Sequence, residues 1–234
     1  MIDKTILIGH LFKEQLKAYG DAGNVRVLKT RLLERGIGCE VRELAIGDEI
    51  DFEELDIIVL GGGRGRETRM VVDYLRQERQ ELKNYIEDGG VLLATGTALS
   101  ILGCVRYKDG EELPGLELIE MEAERQEEPE GGNVVLEAHI EGRKIPIVGF
   151  LENKYLETHQ LTPLGRIVKG AAPRPEGLIY KHLLATGLYG PVLAKNRDLA
   201  DLLLKWALEK KYGRIRLRSL DDHLEQRYKK KLGL

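Results

Sequence analysis

The sequence predicts an α/β protein in which helices flank a mostly parallel central sheet and an antiparallel β extension follows. Two buried apolar runs, at residues 56–60 and 90–95, are each followed directly by small residues, as at the carboxyl ends of parallel strands. Helical patterns separate the strands, and this alternation is typical of βαβ units with right-handed crossovers. Beyond Gly103 the pattern changes to short strands and glycine turns, which predicts antiparallel pairing.

The individual elements follow from periodicity. Val25, Leu28 and Leu32 lie on one face of a helix that begins near Asn24. Apolar residues in a long charged stretch predict a single helix over 68–86, and a second helix is predicted over 197–211. Alternation and β-branched residues predict the strands 5–8, 39–43, 56–60, 90–95, 117–122, 134–140, 144–150 and 177–184. The polar stretch 125–132 is interpreted as a mobile hairpin connection.

Composition narrows the class of protein. The 234 residues are 42% hydrophobic and 32% charged, with a net charge of −3, so nothing in the bulk electrostatics favours nucleic acid. Two cysteines, Cys39 and Cys104, predict a reducing compartment with no disulfide framework, no metal site and no cofactor. No apolar run reaches the roughly 20 residues of a membrane span, and we expect a cytoplasmic protein.

The predicted organisation is one domain over residues 1–212 and a basic tail over 213–234. The tail carries three consecutive lysines at 229–231. Such a tail is either a solvated end or a segment that docks a partner.

Residues 90–103 combine a buried strand, a tight turn of small residues and the start of a helix. This is the pattern of a nucleophile elbow, in which a sharp strand-to-helix turn exposes one reactive side chain. The turn offers Thr95, Gly96 and Thr97, and neither Cys nor Ser stands at its tip.

Four motifs occur in a characteristic order: Tyr-x-Asp-x-Gly-Asn at 19–24, Gly-Gly-Gly at 61–63, the elbow, and Leu-Tyr-Gly-Pro at 188–191. In this order they resemble class I glutamine amidotransferases of the cobyric acid synthase type, and among these the glutaminase subunits of lipid II isoglutaminyl synthases. The resemblance extends from about residue 6 to residue 211. It implies a flavodoxin-like fold with its active-site crevice at the carboxyl ends of the strands. It also implies a heterodimer with a Mur-ligase-like, ATP-dependent synthetase of cell-wall precursor metabolism.

In that family an elbow Cys attacks the glutamine amide, a His acts as base, and N–H groups near the glycine loop form the oxyanion hole. Here the Cys position falls on Gly96, or on Thr95 if the turn is shifted by one residue, and the His position falls on Tyr189. The family's glutamine-binding Arg falls on Leu156. Glycine relaxes the strain of an elbow but supplies no nucleophile, and a tyrosine with a pKa near 10 is a poor base at neutral pH.

We therefore predict an amidotransferase-like subunit that lacks glutamine hydrolysis and scaffolds or regulates the synthetase. The alternative is an active amidotransferase with an unusual nucleophile, for which Thr95, Thr97 and Cys104 are the candidates. A third and weaker alternative is a sensor protein that binds glutamine in the pocket corresponding to the family's substrate site.

The remaining candidate residues have two interpretations each. Gly61, Gly62 and Gly63 either cradle an anion or form a tight turn after a strand. Asp21 and Asn24 belong to the family's amino-terminal motif, but both residue types are also good helix caps.

Overall fold

The computed structural model describes residues 4–106 and 112–231. The strands are β1 Thr5–Leu11, β2 Gly38–Leu44, β3 Ile57–Leu60, β4 Val91–Thr95, β5 Cys104–Arg106, β6 Glu112–Pro114, β7 Met121–Ile140, β8 Arg143–His159, β9 Gly165–Lys169, β10 Pro175–Glu176, β11 Leu178–Tyr180, β12 Leu183–Thr186 and β13 Leu188–Tyr189. The helices are α1 Ala22–Leu33, α2 Gly65–Leu75, α3 Arg79–Glu87, α4 Ala98–Leu102, α5 Arg197–Tyr212 and α6 His223–Lys231, and a short 3-10 helix spans Val192–Lys195.

The central sheet has six strands in the order β11-β12-β4-β3-β1-β2. All neighbouring pairs are parallel except β11 with β12, which are antiparallel. Every residue of β3 and β4 is buried, which explains why both strands consist of consecutive apolar residues, apart from Thr95 at the end of β4, rather than an alternating pattern. The predicted α/β class with a mostly parallel central sheet is confirmed.

Alternate residues of the central strands face two different apolar layers. Ile57 and Val59 pack with α1, α5 and part of the antiparallel strands, whereas Ile58 and Leu60 pack with α2, α3 and α4. Helices therefore cover both faces of the sheet, and burial of these apolar side chains is the main source of the fold's stability. None of the helices in the described ranges combines the length and apolar character that a membrane span needs.

The β extension is a second sheet in which β7 and β8 form a long antiparallel hairpin that turns at Glu141 and Gly142. The polar stretch 125–132, which we expected to connect two strands, lies inside β7, where the pairing register shifts between Arg125 and Glu130. The expected strands 134–140 and 144–150 are likewise only parts of β7 and β8. Backbone pairing with β8 overrides the low β-propensity of this stretch, because strand formation depends on partners far along the chain.

The single helix expected over 68–86 is wrong. Two helices, α2 and α3, replace it, and the helical conformation is interrupted at residues 76–78. The N–H groups of Gln77 and Glu78 bond to carbonyls three residues back, so α2 closes with a tighter turn. The Arg79 guanidinium donates to the Leu116 carbonyl, which anchors the start of α3 to a distant loop. Since no Gly or Pro marks the break, it left no local sequence signal.

The single strand expected over 177–184 is also wrong. Residue Lys181 adopts a φ of +52° and turns the chain between β11 and β12, which pair antiparallel. His182, expected within the strand, lies in this turn and stacks on Trp206 with a centroid distance of 4.9 Å.

The described part of the basic tail lies against the α/β domain. Asp222 accepts hydrogen bonds from Arg31, whose guanidinium is also bonded to Asp201. The Lys229 ammonium donates to the Pro146 carbonyl, and Ile215 packs against the core. The boundary at residue 212 stays a prediction.

Candidate active site

The elbow lies at the carboxyl end of β4. Gly96 has a φ of +59°, and Thr97 stands at the start of the short helix α4. The Gly96 N–H points to the carbonyls of Thr186, at 2.9 Å, and of Leu188, at 3.1 Å. The strained residue of the turn is therefore Gly96 rather than Thr95, which still belongs to β4. A left-handed conformation costs a side chain with a Cβ atom about 1–2 kcal/mol, and glycine avoids that cost.

Tyr189 covers the elbow. A Cβ atom added to Gly96 would lie 2.8 Å from Cε1 and 2.9 Å from Cδ1 of the Tyr189 ring. Tyr189 is only 7% exposed, and its ring packs against Tyr19 with a centroid distance of 4.1 Å. Cross-strand pairing of Tyr189 with Phe150 holds its backbone. The two positions that we predict to be substituted are thus neighbours in space, and the tyrosine ring uses the volume that a side chain at position 96 would need.

Asp21 connects the glycine loop to the elbow strand. Its carboxylate accepts hydrogen bonds from the Gly62 N–H at 2.9 Å and from the Thr95 hydroxyl at 2.7 Å. Burial raises the pKa of the Asp21 carboxyl to about 6, although both of these hydrogen bonds oppose the rise. The helix-cap interpretation of Asp21 is wrong: it occupies the N-cap position of α1, but its side chain makes no capping bond.

Asn24 does not cap the helix either, because α1 begins two residues earlier, at Ala22. Its side chain is fully buried and accepts a hydrogen bond from the Leu193 N–H at 3.0 Å. Asn24 therefore fixes the 3-10 helix that follows the Leu-Tyr-Gly-Pro motif onto α1, and so helps to place Tyr189.

Two N–H groups of the glycine loop after β3 are bonded to side chains of the protein. The Gly62 N–H is bonded to Asp21, and the Gly63 N–H is bonded to the Thr97 hydroxyl at 2.9 Å. The Thr97 hydroxyl in turn donates to the Gly63 carbonyl at 3.0 Å. A Cβ atom on Gly61 would lie 2.7 Å from the Asp21 Cβ, so this position requires glycine for close packing. Two of the three expected anion-binding amides are thus engaged within the protein.

Glu176 is a buried carboxyl that the sequence analysis missed. It accepts hydrogen bonds from the Thr186 hydroxyl at 2.9 and 3.0 Å and from the Gly187 N–H at 2.7 Å. Burial raises the pKa of its carboxyl to about 7. Thr186 is the cross-strand partner of Thr95, so a buried acid stands on each side of the elbow strand. A lone Glu between Pro175 and Gly177 carries no local signal of this role.

Comparison with known proteins decides the family. The sequence pattern of the CobB/CobQ-like glutamine amidotransferase domain matches residues 7–197. The chain belongs to this family. It is 33% identical over 226 residues to the GatD subunit of the glutamine-hydrolysing lipid II isoglutaminyl synthase of Staphylococcus aureus, with 94% of this chain and 91% of that protein covered. The subunit of the same name from Streptococcus pneumoniae is 30% identical over 238 residues, with 94% and 87% covered.

Solved structures give the same fold. A glutamine amidotransferase crystal structure superimposes with a TM-score of 0.53 at 20% identity and covers 86% of this chain and 98% of its own. A glutamine amidotransferase of Thermotoga maritima gives a TM-score of 0.53 at 13% identity, with 88% and 92% covered. The flavodoxin-like class I amidotransferase fold expected from the motifs is confirmed.

Within this amidotransferase fold the candidate substitute nucleophiles are poorly placed. The Thr95 side chain is fully buried, and the Thr97 hydroxyl is bonded to the glycine loop. Cys104 is half-buried, is not part of a disulfide, and lies in β5, which belongs to the second sheet. Leu156 lies in β8 and is 36% exposed. In the described part of the chain, no three His, Cys, Asp or Glu side chains are grouped as metal ligands.

Proposed function

We propose that this amidotransferase-like chain does not hydrolyse glutamine and serves as the scaffolding or regulatory subunit of a Mur-ligase-like synthetase in cell-wall precursor metabolism. The proposed loss of hydrolysis is supported by one observation: the elbow residue is Gly96, and the Tyr189 ring lies against it. Covalent amide hydrolysis needs a nucleophile with a base in hydrogen-bond reach. Position 96 has no side chain, and a phenol is protonated at neutral pH.

The oxyanion donors support the same conclusion. An oxyanion hole requires N–H groups that are free to face the developing charge. Here the N–H groups of Gly62 and Gly63 are bonded to Asp21 and Thr97, and the Gly96 N–H is bonded to carbonyls of the neighbouring strands.

The proposed partner follows from the relatives. Two of them are named as subunits of lipid II isoglutaminyl synthase, and the similarity extends over 94% of this chain. A fold that persists without its nucleophile still offers its surface to a partner. We place the pair in the cytoplasm, since neither Cys39 nor Cys104 forms a disulfide, which suits a reducing compartment.

The test is co-expression of the chain with a candidate Mur-ligase-like synthetase, followed by purification and assay. We expect the two to co-purify, glutamine to yield no ammonia above background, and amidation to proceed with ammonium salts instead. The Staphylococcus aureus relative with its own partner is the positive control. Glutamine turnover by the purified pair would contradict the loss of hydrolysis, and failure of every candidate synthetase to bind would contradict the scaffold.

One contact favours a second candidate function, an active amidotransferase. The Thr95 hydroxyl donates to Asp21 at 2.7 Å, and a carboxylate with a raised pKa is a possible base. In that case a Thr95→Val variant would lose glutamine turnover and Thr95→Ser would keep it. The full burial of Thr95 makes this function the weaker of the two.

A further inference from the structure

The amino-terminal part of α2 carries an exposed basic surface. Residues 64–70 have the sequence Arg-Gly-Arg-Glu-Thr-Arg-Met, which places three guanidinium groups and one carboxyl group within seven residues. Arg64, Arg66 and Arg69 are all exposed. In the part of the chain that the structure describes, none of the three side chains is bonded to a carboxylate or a carbonyl. Their charges are therefore available to another molecule.

Met70 adds an apolar group to this surface. It is 46% exposed, whereas Val71, the next residue of the helix, is fully buried in the core. Residues three and four apart are neighbours on a helix, so Arg69 and Met70 both lie beside Arg66. We call the surface formed by Arg64, Arg66, Arg69 and Met70 the arginine face. It is the side of α2 that points away from the central sheet.

The charge of the arginine face is not neutralised within the helix. Three arginines against the one carboxylate of residues 64–70, Glu67, leave an excess of two positive charges. Asp73, the next acid of α2, is already paired with Arg76 at 3.4 Å. The helix has 11 residues and its N-cap residue makes no side-chain capping bond, so the N–H groups of the first turn add a partial positive charge.

The composition of the arginine face favours a protein as its occupant. Arginine and methionine are enriched at protein–protein interfaces, and lysine is depleted there. Residues 64–79 contain five arginines and no lysine. A membrane surface attracts lysine and arginine alike, and the carboxylates of Glu67 and Asp73 would repel its anionic headgroups. Guanidinium groups bind protein carboxylates through paired, charge-assisted hydrogen bonds.

The arginine face lies at the edge of the sheet that carries the elbow. β3 ends at Leu60, the glycine loop 61–63 follows, and α2 begins at Gly65. The Gly63 N–H is bonded to the Thr97 hydroxyl, which ties this loop to the elbow. A subunit that docks on the arginine face therefore sits beside the elbow.

We propose that the arginine face docks an acidic surface of the synthetase partner. The three guanidinium groups pair with carboxylates of that subunit, and Met70 packs against an apolar group between them. This inference rests on the proposed function, because the occupant is the subunit that the chain scaffolds or regulates.

The experiment measures binding of the full chain to the immobilised Mur-ligase-like synthetase that co-purifies with it, by biolayer interferometry. We expect Arg66→Glu combined with Arg69→Glu to weaken binding about tenfold or more, with most of the loss in the association rate. Arg66→Gln combined with Arg69→Gln should give a smaller loss, since it removes charge without adding repulsion. Binding of the unaltered chain should weaken as the salt concentration rises from about 50 mM to about 300 mM.

The matched control is Arg214→Glu combined with Arg216→Glu, which makes the same change in net charge. Both residues are exposed and lie beyond α5, away from the elbow edge of the sheet. This variant should bind within about twofold of the unaltered chain. Thermal melts should show that all variants fold, because glutamate in the first turns of α2 is favourable for the helix dipole.

The outcomes separate this inference from the proposed function. Unchanged binding by the Arg66 and Arg69 variants, or equal losses in the two glutamate variants, would overturn the docking surface and leave the proposed function standing. Failure of the unaltered chain to bind any candidate synthetase would overturn both. Binding of the unaltered chain to phosphatidylglycerol vesicles that the Arg66 and Arg69 variants lose would assign the face to a membrane instead.

Discussion

Gly96 and Tyr189 are complementary substitutions: a Cβ atom at position 96 would lie 2.8 Å from Cε1 of the Tyr189 ring. The resemblance of the motifs predicts that the family's elbow nucleophile and its base fall on these two positions. In the structure the Tyr189 ring of β13 fills the space above the β4 elbow, where a side chain at position 96 would lie. A side chain introduced at position 96 alone therefore conflicts with the Tyr189 ring.

The first prediction concerns packing at the elbow. We expect Gly96→Ala to lower the free energy of unfolding by about 2–4 kcal/mol, since it combines a left-handed φ with overpacking against Tyr189. Denaturant unfolding measures the change. Gly36→Ala is the matched control: Gly36 has a φ of +70°, but no atom lies within 4 Å of an added Cβ. It should lose only about 1 kcal/mol. Equal losses at the two glycines would refute the packing conflict.

The second prediction concerns a thiol at the elbow. Gly96→Cys alone should react slowly with a glutamine-analogue electrophile, because the Tyr189 ring covers the site. Adding Tyr189→His should speed the labelling about tenfold or more, which intact-protein mass spectrometry over time would follow. Gly65→Cys serves as control, because Gly65 is exposed and nothing lies within 4 Å of its added Cβ. If Tyr189→His accelerates both thiols equally, the ring does not shield the elbow.

The third prediction concerns pH. The pKa of Glu176 rises from 4.5 to about 7 in the folded chain, so the folded state holds this proton more tightly than the unfolded state. Stability from this group is therefore complete below about pH 4.5 and is lost as the pH rises towards 7. The loss is on the order of 3 kcal/mol. Glu176→Gln cannot ionise, and its free energy of unfolding should change less between about pH 5 and about pH 8.

Urea unfolding across that pH range provides the measurement. Glu141→Gln is the comparison variant, because Lys205 and Trp206 bond to Glu141 and lower the pKa of its carboxyl. That group is ionised throughout the range, so its replacement should leave the pH slope of the unaltered chain. A Glu176→Gln variant with an unchanged slope would show that the carboxyl is not a buried acid.

The fourth prediction concerns the tail. Arg31 is 8% exposed and binds both Asp201 and Asp222, so loss of Asp222 leaves part of a nearly buried guanidinium without its partner. We expect Asp222→Asn to lower the free energy of unfolding by about 1–2 kcal/mol. This is less than the loss expected for a fully buried ion pair, because Arg31 keeps its bond to Asp201 and solvent screens the site. Asp221→Asn, one residue away with an 82% exposed side chain, should stay within about 0.5 kcal/mol of the unaltered chain. Equal effects would mean that α6 is not held by Arg31.

Much of the fold was predictable where local patterns and burial agree. The uninterrupted apolar runs of β3 and β4 follow from burial on both faces of a parallel sheet, and the amphipathic helix α5 was expected within one residue of its end. The predictions failed where distant pairing decides the structure. The polar stretch 125–132 is a strand only because β8 lies beside it, and the break between α2 and α3 coincides with a contact from Arg79 to a remote carbonyl.

By itself the sequence determined the family and the α/β class, because both depend on residue identities in a fixed order, and it predicted that the family's nucleophile and base positions fall on Gly96 and Tyr189. Only the tertiary structure revealed that Tyr189 fills the space above Gly96, that Asp21 and Asn24 hold loops rather than cap a helix, and that Glu176 is buried beside the elbow. These relationships join residues up to 169 positions apart in the chain, as between Asn24 and Leu193. Burial and hydrogen bonding depend on such neighbours in space, which no local pattern specifies.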